Sequence, residues 1–259
     1  MPFGGRIKLA FGGKMKIHFL ADKKKGALPA WLRCVQRYGQ APLTEADFVV
    51  VLGGDGFMLK TLHALLNYRI PVFGLNLGHV GYLLNRFSVD NLPKRIEQAE
   101  KKEIVPLRIS ASTKDGQEHE LYAFNEAVVL RSSAQAARLE TVMFDFQAKK
   151  KVTLQTLLGD GLIVATPMGS HGYYASASGQ PLGNQQNVMA VQSICTQPRF
   201  NKIVSNHADI FVHPQELGKR PIHLECDGIR PDLPNLTRVR VQTAIGRTYA
   251  ILKEKQNVR

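Results

Sequence analysis

The sequence has little cysteine, no long apolar run and a shortage of negative charge. Its three cysteines, Cys34, Cys195 and Cys226, are odd in number and widely spaced, which argues against a disulfide framework or a zinc site. We therefore expect a reducing, cytoplasmic location, with Cys34 buried on the apolar face of a helix. No run of about 18 apolar residues occurs, which excludes a transmembrane helix. The basic N-terminus lacks the apolar core and cleavage site of a secretory signal.

Acidic residues are outnumbered, with 21 Asp and Glu against 34 Lys and Arg, a formal net charge of +13. Such a charge suits nucleic acid, an anionic membrane or a phosphorylated small ligand. The basic residues are spread along the chain, no aromatic residues interleave with them, and no nucleic-acid motif is present. We therefore expect an anionic small ligand, with no nucleic acid and no membrane as partner.

Strand and helix patterns alternate up to about residue 105. The run Phe48-Val49-Val50-Val51-Leu52 is typical of a parallel strand covered on both faces. We expect strands at 17–21, 48–52 and 71–76, and helices at 28–38, 57–67 and 92–102. Leu59, Leu62, Leu65 and Leu66 are expected to point inward from the second helix. This alternation predicts an α/β domain with a parallel sheet, covering residues 15–106.

The remainder is rich in alternating, strand-like patterns. Segments 107–112 and 119–124 are joined through Lys114-Asp115-Gly116, which is a hairpin signal. Further strands are expected at 141–148, 151–157, 161–165, 210–213, 222–226, 238–242 and 249–252. One short helix is expected near 172–179. We expect a β-rich, sandwich-like second domain, with the boundary near Pro106.

A glycine-rich turn, Gly53-Gly54-Asp55-Gly56, directly follows the buried strand at 48–52. Glycines at the carboxyl end of a strand let backbone N–H groups approach a phosphate, and a following helix N-terminus favours anions. An acid in such a loop would hold a cation or accept a proton from a hydroxyl. The loop matches neither the dinucleotide fingerprint nor the P-loop, and alone it is equally compatible with a tight turn.

Two further segments carry candidate ligand contacts. Asn125-Glu126 ends a predicted strand and offers one donor group and several acceptors, which can recognise an adenine edge or ribose hydroxyls. On its own, the pair is more often a surface strand end. In the segment 159–176, a hydrophobic strand runs into Thr166-Pro167-Met168-Gly169-Ser170, followed by small residues that let a flat ligand lie close to the backbone.

Taken in order, these segments resemble the NAD kinase family. The family pattern appears as GGDG at 53–56, NE at 125–126 and DGLIVATPMGSHGYYAS at 160–176, and GLNLGHVGYL at 74–83 is similar to a fourth family segment. The resemblance extends over about residues 15–252. It implies that 107–239 form an NAD-binding domain and that the last segment, about 240–259, returns to the first domain.

The resemblance also implies roles for individual residues. Asp55 would accept the proton of the 2′-hydroxyl of the adenosine ribose, Asn125 and Glu126 would bind the adenosine half, and Asp160 the nicotinamide end. The implied contact set is Gly53, Gly54, Asp55, Gly56, Asn125, Glu126, Asp160, Thr166, His171, Gly172, Tyr173, Tyr174, Ala175 and Ser176. Arg138 and Arg131 are candidate contacts to the phosphoryl donor only because they follow the Asn-Glu strand.

Family members use ATP, or in some lineages polyphosphate, together with Mg²⁺, and usually form homodimers or homotetramers. No residue here is assigned as a metal ligand. The chain departs from the family pattern at His171 and Gly172, which replace Thr and Ala, and this leaves the preference between NAD and NADH open. A lipid kinase of the diacylglycerol or sphingosine type shares the GGDG loop and is the alternative. A non-enzymatic basic binding module and a Rossmann oxidoreductase fit less well.

Overall fold

The computed structural model describes residues 15–24, 26–78, 81–153, 156–183 and 187–255. The chain divides into two compact units, one comprising residues up to Ile104 and those from Thr248 onward, the other Val105–Arg247. Four segments named above fall partly or wholly outside the described residues: the basic N-terminus before Met15, positions 79–80 of the 74–83 motif, the middle of the strand expected at 151–157, and residues 256–259 of the returning segment. None of the described helices is long and apolar enough to cross a membrane.

The strands, in chain order, are β1 (Ile17–Ala21), β2 (Phe48–Gly53), β3 (Val72–Asn76), β4 (Asn85–Arg86), β5 (Glu100–Ile104), β6 (Leu107–Thr113), β7 (Glu118–Ala123), β8 (Glu126–Arg131), β9 (Ala137–Asp145), β10 (Lys150–Thr153), β11 (Leu157–Gly159), β12 (Gly161–Ala165), β13 (Val188–Ile194), β14 (Asn201–Ser205), β15 (Ala208–Pro214), β16 (Ile222–Cys226), β17 (Leu236–Thr243) and β18 (Tyr249–Lys253). The helices are α1 (Ala27–Tyr38), α2 (Asp55–Ala64), α3 (Leu92–Gln98) and α4 (Tyr173–Ser176).

The first unit contains a sheet of order β1-β2-β3-β18-β5, with β4 paired to β3. β1, β2, β3 and β18 are parallel, which confirms the predicted parallel sheet. Every residue of β2 is buried, as a strand with both faces covered must be. The returning segment is shorter than expected, because residues 240–243 belong to β17, which pairs with β6 and β15 of the second unit.

The helices of the first unit differ from their predicted limits and faces. α1 buries Ala27, Ala30 and Cys34, whereas Leu28 and Leu32 are exposed. α2 begins at Asp55, two residues earlier than predicted, and it buries Met58, Thr61 and Leu62. Leu65 is also buried, whereas Leu59 and Leu66 are only partly covered.

The prediction for the third helix, residues 92–102, differs most from the structure of this unit. It ends at Gln98, and Glu100–Ile104 forms a strand antiparallel to β18. The charged side chains of this strand stay exposed, so no apolar alternation marks it in the sequence. This segment is a strand because it pairs with β18, about 150 residues further along the chain. Local propensity does not reflect such a distant partner.

The second unit contains two sheets. One has the order β10-β9-β15-β17-β6-β7, with β11 paired to β9, and the other has the order β14-β13-β12-β8-β16. The predicted hairpin is confirmed as β6 and β7, paired antiparallel. Buried side chains of both sheets, such as Ile109 and Val241 of the first and Val129 and Leu162 of the second, form one apolar cluster. The two sheets therefore pack face to face, and β8, β13 and β14 are strands that were not predicted.

The chain crosses between these two sheets at Gly159-Asp160-Gly161. β11, which ends at Gly159, pairs with β9, whereas β12, which starts at Gly161, pairs with β8 and β13. A Cβ atom on Gly159 would lie 2.2 Å from the Cys195 carbonyl oxygen, and one on Gly161 would lie 2.0 Å from that of Val129. Both glycines are needed because neighbouring backbone occupies the space that a side chain would require.

Replacing Gly161 with alanine should therefore destabilise the fold. We expect Gly161→Ala to lower the free energy of unfolding by about 2–3 kcal/mol, since the backbone of β8 must move to admit one methyl group. Gly218→Ala is the matched control, because no atom lies within 4 Å of the added Cβ there, and its effect should stay within about 0.5 kcal/mol. Urea unfolding of both variants measures this, and equal stabilities would contradict the steric explanation.

Candidate active site

The glycine-rich turn of the first unit places Asp55 at the start of α2. β2 ends at Gly53, and Gly54 adopts an extended conformation just before the helix, without a side-chain cap. Asp55 is the first helical residue, where the partial positive charge of the helix N-terminus stabilises a carboxylate. The predicted strand–turn–helix arrangement is thus present, and its acid stands where an anionic side chain is favoured.

Both carboxylate oxygens of Asp55 accept a backbone hydrogen bond. Tyr82 N–H donates to Oδ2 at 2.8 Å and Leu83 N–H donates to Oδ1 at 3.0 Å. Both donors lie in the loop after β3, whose last residue, Asn76, accepts an N–H from Gly78 at 2.8 Å. The orientation of the Asp55 carboxylate is therefore determined by two backbone donors that lie about 27 residues away in sequence.

Lys253 brings a positive charge to the same region. Its ammonium donates to the Leu84 carbonyl oxygen at 2.6 Å. Burial lowers the pKa of Lys253, as does the positive charge of Lys102, whereas the negative charges of Asp55 and Glu254 raise it. Lys253 is thus close enough to Asp55 to respond to its charge. No sequence pattern singled out this lysine, because β18 comes back to β3 from almost 180 residues further along the chain.

In the second unit, Asn125 and Glu126 occupy a bend between two strands. β7 ends at Ala123 and β8 starts at Glu126, so the expectation that the pair ends a strand is wrong. Asp227 determines the shape of this bend. Its Oδ2 accepts the N–H of Phe124 at 2.7 Å, and its Oδ1 accepts those of Asn125 at 2.7 Å and Glu126 at 3.0 Å.

Glu126 is a buried acid of this bend, and its pKa is raised. Only 8% of the residue is exposed, and its Oε2 has no hydrogen-bond partner among the described residues. Burial, and secondarily the negative charge of Asp227, raise the pKa of Glu126 to about 7. Its carboxyl group therefore exchanges a proton near neutral pH, which makes it a functional-site candidate.

The Thr166-Pro167-Met168-Gly169-Ser170 segment packs directly on this bend. Thr166 Oγ1 donates to the Phe124 carbonyl oxygen at 2.7 Å and accepts the N–H of Gly169 at 3.0 Å. A Cβ on Gly169 would lie 2.1 Å from the Asn125 carbonyl oxygen. Thr166 is itself buried. Its side chain therefore shapes the turn, and the structure gives it no exposed surface for a ligand.

The turn continues into Gly172, which borders Glu126. A Cβ on Gly172 would lie 3.3 Å from the Glu126 Oε2, so the glycine places no side chain against this buried carboxyl group. The structure therefore brings four predicted residues together: Asn125, Glu126, Thr166 and Gly172. Asp227 joins them. Asp227 is not among the residues that the sequence predicted for the site, and it lies about 100 residues from the bend in sequence.

The residues of the turn and short helix that were predicted to contact the ligand differ in their exposure. The side chain of Tyr174 is 1% exposed and packs in an apolar cluster with Val128 and Ile163, so it belongs to the core, and its contact with a ligand stays a prediction. His171, Tyr173 and Ser176 lie at the surface, and Ala175 is partly covered. Burial raises the pKa of the Tyr173 hydroxyl, and the negative charges of Glu225, Asp160 and Cys195 raise it further.

The two arginine candidates occupy different positions. Arg131 pairs with Asp160, with 2.6 Å between Nε and Oδ1, and thereby orients the acid at the sheet crossing. Arg138 pairs instead with Glu216 at 2.9 Å, a residue that is no part of the bend or the turn. Among the described residues, no group of three or more His, Cys, Asp or Glu side chains is arranged to hold a metal ion.

Comparison with known proteins agrees with these features. The sequence models of the ATP-NAD kinase N-terminal and C-terminal domains match residues 14–104 and 114–252. The chain is 35% identical over 246 residues to an NAD kinase of Brucella suis, covering 94% of this chain and 93% of that protein. It is 35% identical over 241 residues to one of Hyphomonas neptunium, covering 92% of each.

Two solved structures are similar. An NAD kinase from Archaeoglobus fulgidus in complex with ATP has a TM-score of 0.70 and 25% identity, covering 94% of each chain. Yeast NADH kinase complexed with NADH has a TM-score of 0.80 at 18% identity, covering 94% of this chain and 84% of that chain, a likeness of fold. With both domain models matched and relatives aligned over almost the whole length, this chain belongs to the NAD kinase family.

Proposed function

We propose that the chain transfers the γ-phosphoryl group of ATP to the 2′-hydroxyl of the adenosine ribose of NAD, forming NADP and ADP. The observation that carries this proposal is the Asp55 carboxylate at the start of α2, oriented by the N–H groups of Tyr82 and Leu83. The NAD kinase relatives and the archaeal structure in complex with ATP support it. No comparison supports the lipid kinase alternative.

Asp55 acts as the proton acceptor in this mechanism. Each carboxylate oxygen has two lone pairs, and the backbone donors use one on each oxygen, so each oxygen keeps one lone pair that can accept the hydroxyl proton. The 2′-oxygen forms a bond to the γ-phosphorus, the bond from that phosphorus to the bridging oxygen of ADP breaks, and the hydroxyl proton passes to Asp55. A positioned base of this kind accelerates a reaction by roughly 10²–10⁴-fold.

The glycines beside Asp55 suit a diphosphate ligand. A Cβ on Gly54 or Gly56 would have no atom within 4 Å, and neither has the left-handed backbone that would demand glycine. The protein's own packing therefore does not explain these two glycines. Close approach of a phosphate to the backbone N–H groups at the start of the ten-residue helix α2 does explain them.

A divalent metal fits this arrangement through a single protein carboxylate. Mg²⁺ usually retains several waters and binds one or two carboxylates together with substrate phosphates, and Asp55 is the acid that the loop provides. Bound there, Mg²⁺ would neutralise charge on the transferred phosphoryl group. Lys253, held at the Leu84 carbonyl oxygen, supplies a fixed positive charge from the protein in the same unit.

The bend at Asn125–Glu126 recognises the acceptor in this proposal. Glu126 accepts a hydrogen bond from a ribose hydroxyl when ionised, and Asn125 contacts the adenosine half. Gly172 places no side chain against the Glu126 carboxyl group, and Tyr173 with Asp160 bounds the nicotinamide end. In line with the family resemblance, we also propose a cytoplasmic enzyme that forms a homodimer or homotetramer.

Removing the basicity of Asp55 should abolish most of the turnover. We expect Asp55→Asn to lower kcat for NADP formation by at least about 10²-fold, with little change in the KM for NAD, since the amide cannot accept the proton. Asp90→Asn is the control, because Asp90 is an exposed acid of the same unit that pairs with Arg37. Equal kcat values for Asp55→Asn and the parent would rule out Asp55 as the base.

Binding of NAD should depend on pH through Glu126. The carboxyl group is mostly protonated below a pKa of about 7 and mostly ionised above it, so the competent fraction rises about tenfold from pH 6 to pH 8. The dissociation constant of NAD should fall by a similar factor. Calorimetry without ATP measures this, because the terminal phosphate of ATP titrates in the same range.

Glu126→Gln provides the matching control for this pH dependence. The amide is close in size and does not titrate, so the dissociation constant of NAD should stay flat between pH 6 and pH 8. A parent protein whose NAD affinity is equally flat, or a Glu126→Gln variant that keeps the full pH dependence, would contradict the role of Glu126.

A further inference from the structure

A cavity of about 510 Å³ lies in the second unit, lined by residues that belong to none of the motifs above. Three arginines and two acids provide most of its charge: Arg108, Arg240, Arg247, Glu120 and Asp209. Its volume falls within the roughly 300–1,000 Å³ that is typical of small-molecule sites.

The cavity is on the outer face of the seven-stranded sheet. Ile109, Ile210 and Val241 are buried in the core between the two sheets. Because successive side chains of a strand point to opposite faces, their neighbours Arg108 and Arg240 project away from that core. Glu126, in contrast, starts β8 of the five-stranded sheet. The cavity is therefore separate from the bend that contains Asn125 and Glu126.

Two of the three arginines are already paired. Arg240 Nε donates to Asp209 Oδ2 at 2.7 Å, and Arg108 Nε lies 2.8 Å from Glu120 Oε2. Arg247 has no such acid among the described residues, and its guanidinium carbon lies 4.8 Å from the centre of the Tyr122 ring. With three arginines and two acids, the cavity has an excess positive charge, and that charge belongs to Arg247.

Two buried polar atoms in the lining lack hydrogen bonds. Among the described residues, neither Arg108 Nε nor Asn206 Oδ1 has a hydrogen-bond partner; Arg108 is close to Glu120, but its N–H is not aligned with the carboxylate. The amide nitrogen of Asn206 donates to Asn187 at 3.4 Å, which leaves its oxygen as an unused acceptor. Buried polar atoms without a partner are rare, and here the donor and the acceptor both belong to residues that line the same cavity.

We propose that this cavity binds a small phosphate ester with hydroxyl groups, such as a sugar phosphate. Arg247 holds the phosphate, because its planar guanidinium group matches phosphate oxygens in charge and geometry. Asn206 Oδ1 accepts a hydrogen bond from a hydroxyl of the sugar. Free phosphate has the same charged group but lacks the sugar hydroxyls, so the two ligands can be distinguished.

Calorimetric titration with ribose 5-phosphate tests the charged contact. Arg247→Gln should weaken binding by at least about tenfold, the loss expected for one charge-assisted hydrogen bond. Arg238→Gln is the matched control. Arg238 precedes Arg240 on the same face of β17, but it pairs with Glu118 and does not line the cavity. Its variant should bind within about twofold of the parent. Binding at the substrate site would persist in both variants, so their difference isolates the cavity.

A second titration, with inorganic phosphate, tests the hydroxyl contact. The parent should bind ribose 5-phosphate more tightly than phosphate, and Asn206→Leu should remove that advantage without weakening phosphate. If Arg247→Gln does not unfold cooperatively, Arg247→Lys replaces it. Lysine retains the charge but not the planar donors, so its affinity should be intermediate.

Two results would overturn the proposal. One is equal affinity of the parent and the Arg247 variant for both ligands. The other is a change of oligomeric state in the Arg247 variant with unchanged phosphate binding, since this would make the surface a contact between copies of the chain.

Discussion

The carboxylate of Asp227 accepts three backbone N–H groups from the bend at Phe124–Glu126, and the geometry of the site in the second unit depends on this contact. The bend places the Asn125 carbonyl oxygen where only a glycine at position 169 can pack, and it seats Thr166 beneath the turn. Burial raises the pKa of Glu126 to about 7, and the negative charge of Asp227 adds to this effect. Asp227 therefore shapes this site and also contributes to its acidity.

The two candidate acids, Asp55 and Glu126, have different surroundings. Asp55 has a backbone donor on each oxygen and lies at a helix N-terminus, whereas Glu126 is buried with an oxygen that lacks a partner. Acids with such different surroundings in one enzyme usually have different tasks. The proposed reaction requires two such tasks. One acid accepts the hydroxyl proton from a fixed position, and the other forms a hydrogen bond with the ribose near neutral pH.

Local features of the site could be predicted from the sequence, whereas its long-range contacts could not. The buried run before Gly53 and the glycines around Asp55 identify the strand–turn–helix arrangement without any partner. The donors to Asp55, the clamp by Asp227 and the charge of Lys253 all depend on residues distant in sequence. Tyr174 shows the same limit, because motif position suggested a ligand contact and only the packing shows that it belongs to the core.

The proposed reaction requires the 2′-hydroxyl of the adenosine ribose of NAD as its acceptor. The most direct measurement incubates the folded parent protein with ATP and Mg²⁺, and supplies either NAD or its 2′-deoxy analogue on the adenosine ribose. We expect NAD to give a product that an NADP-specific dehydrogenase reduces, and we expect the deoxy analogue to accept no phosphate. No NADP from NAD, or equal phosphate transfer to the deoxy analogue, would contradict it.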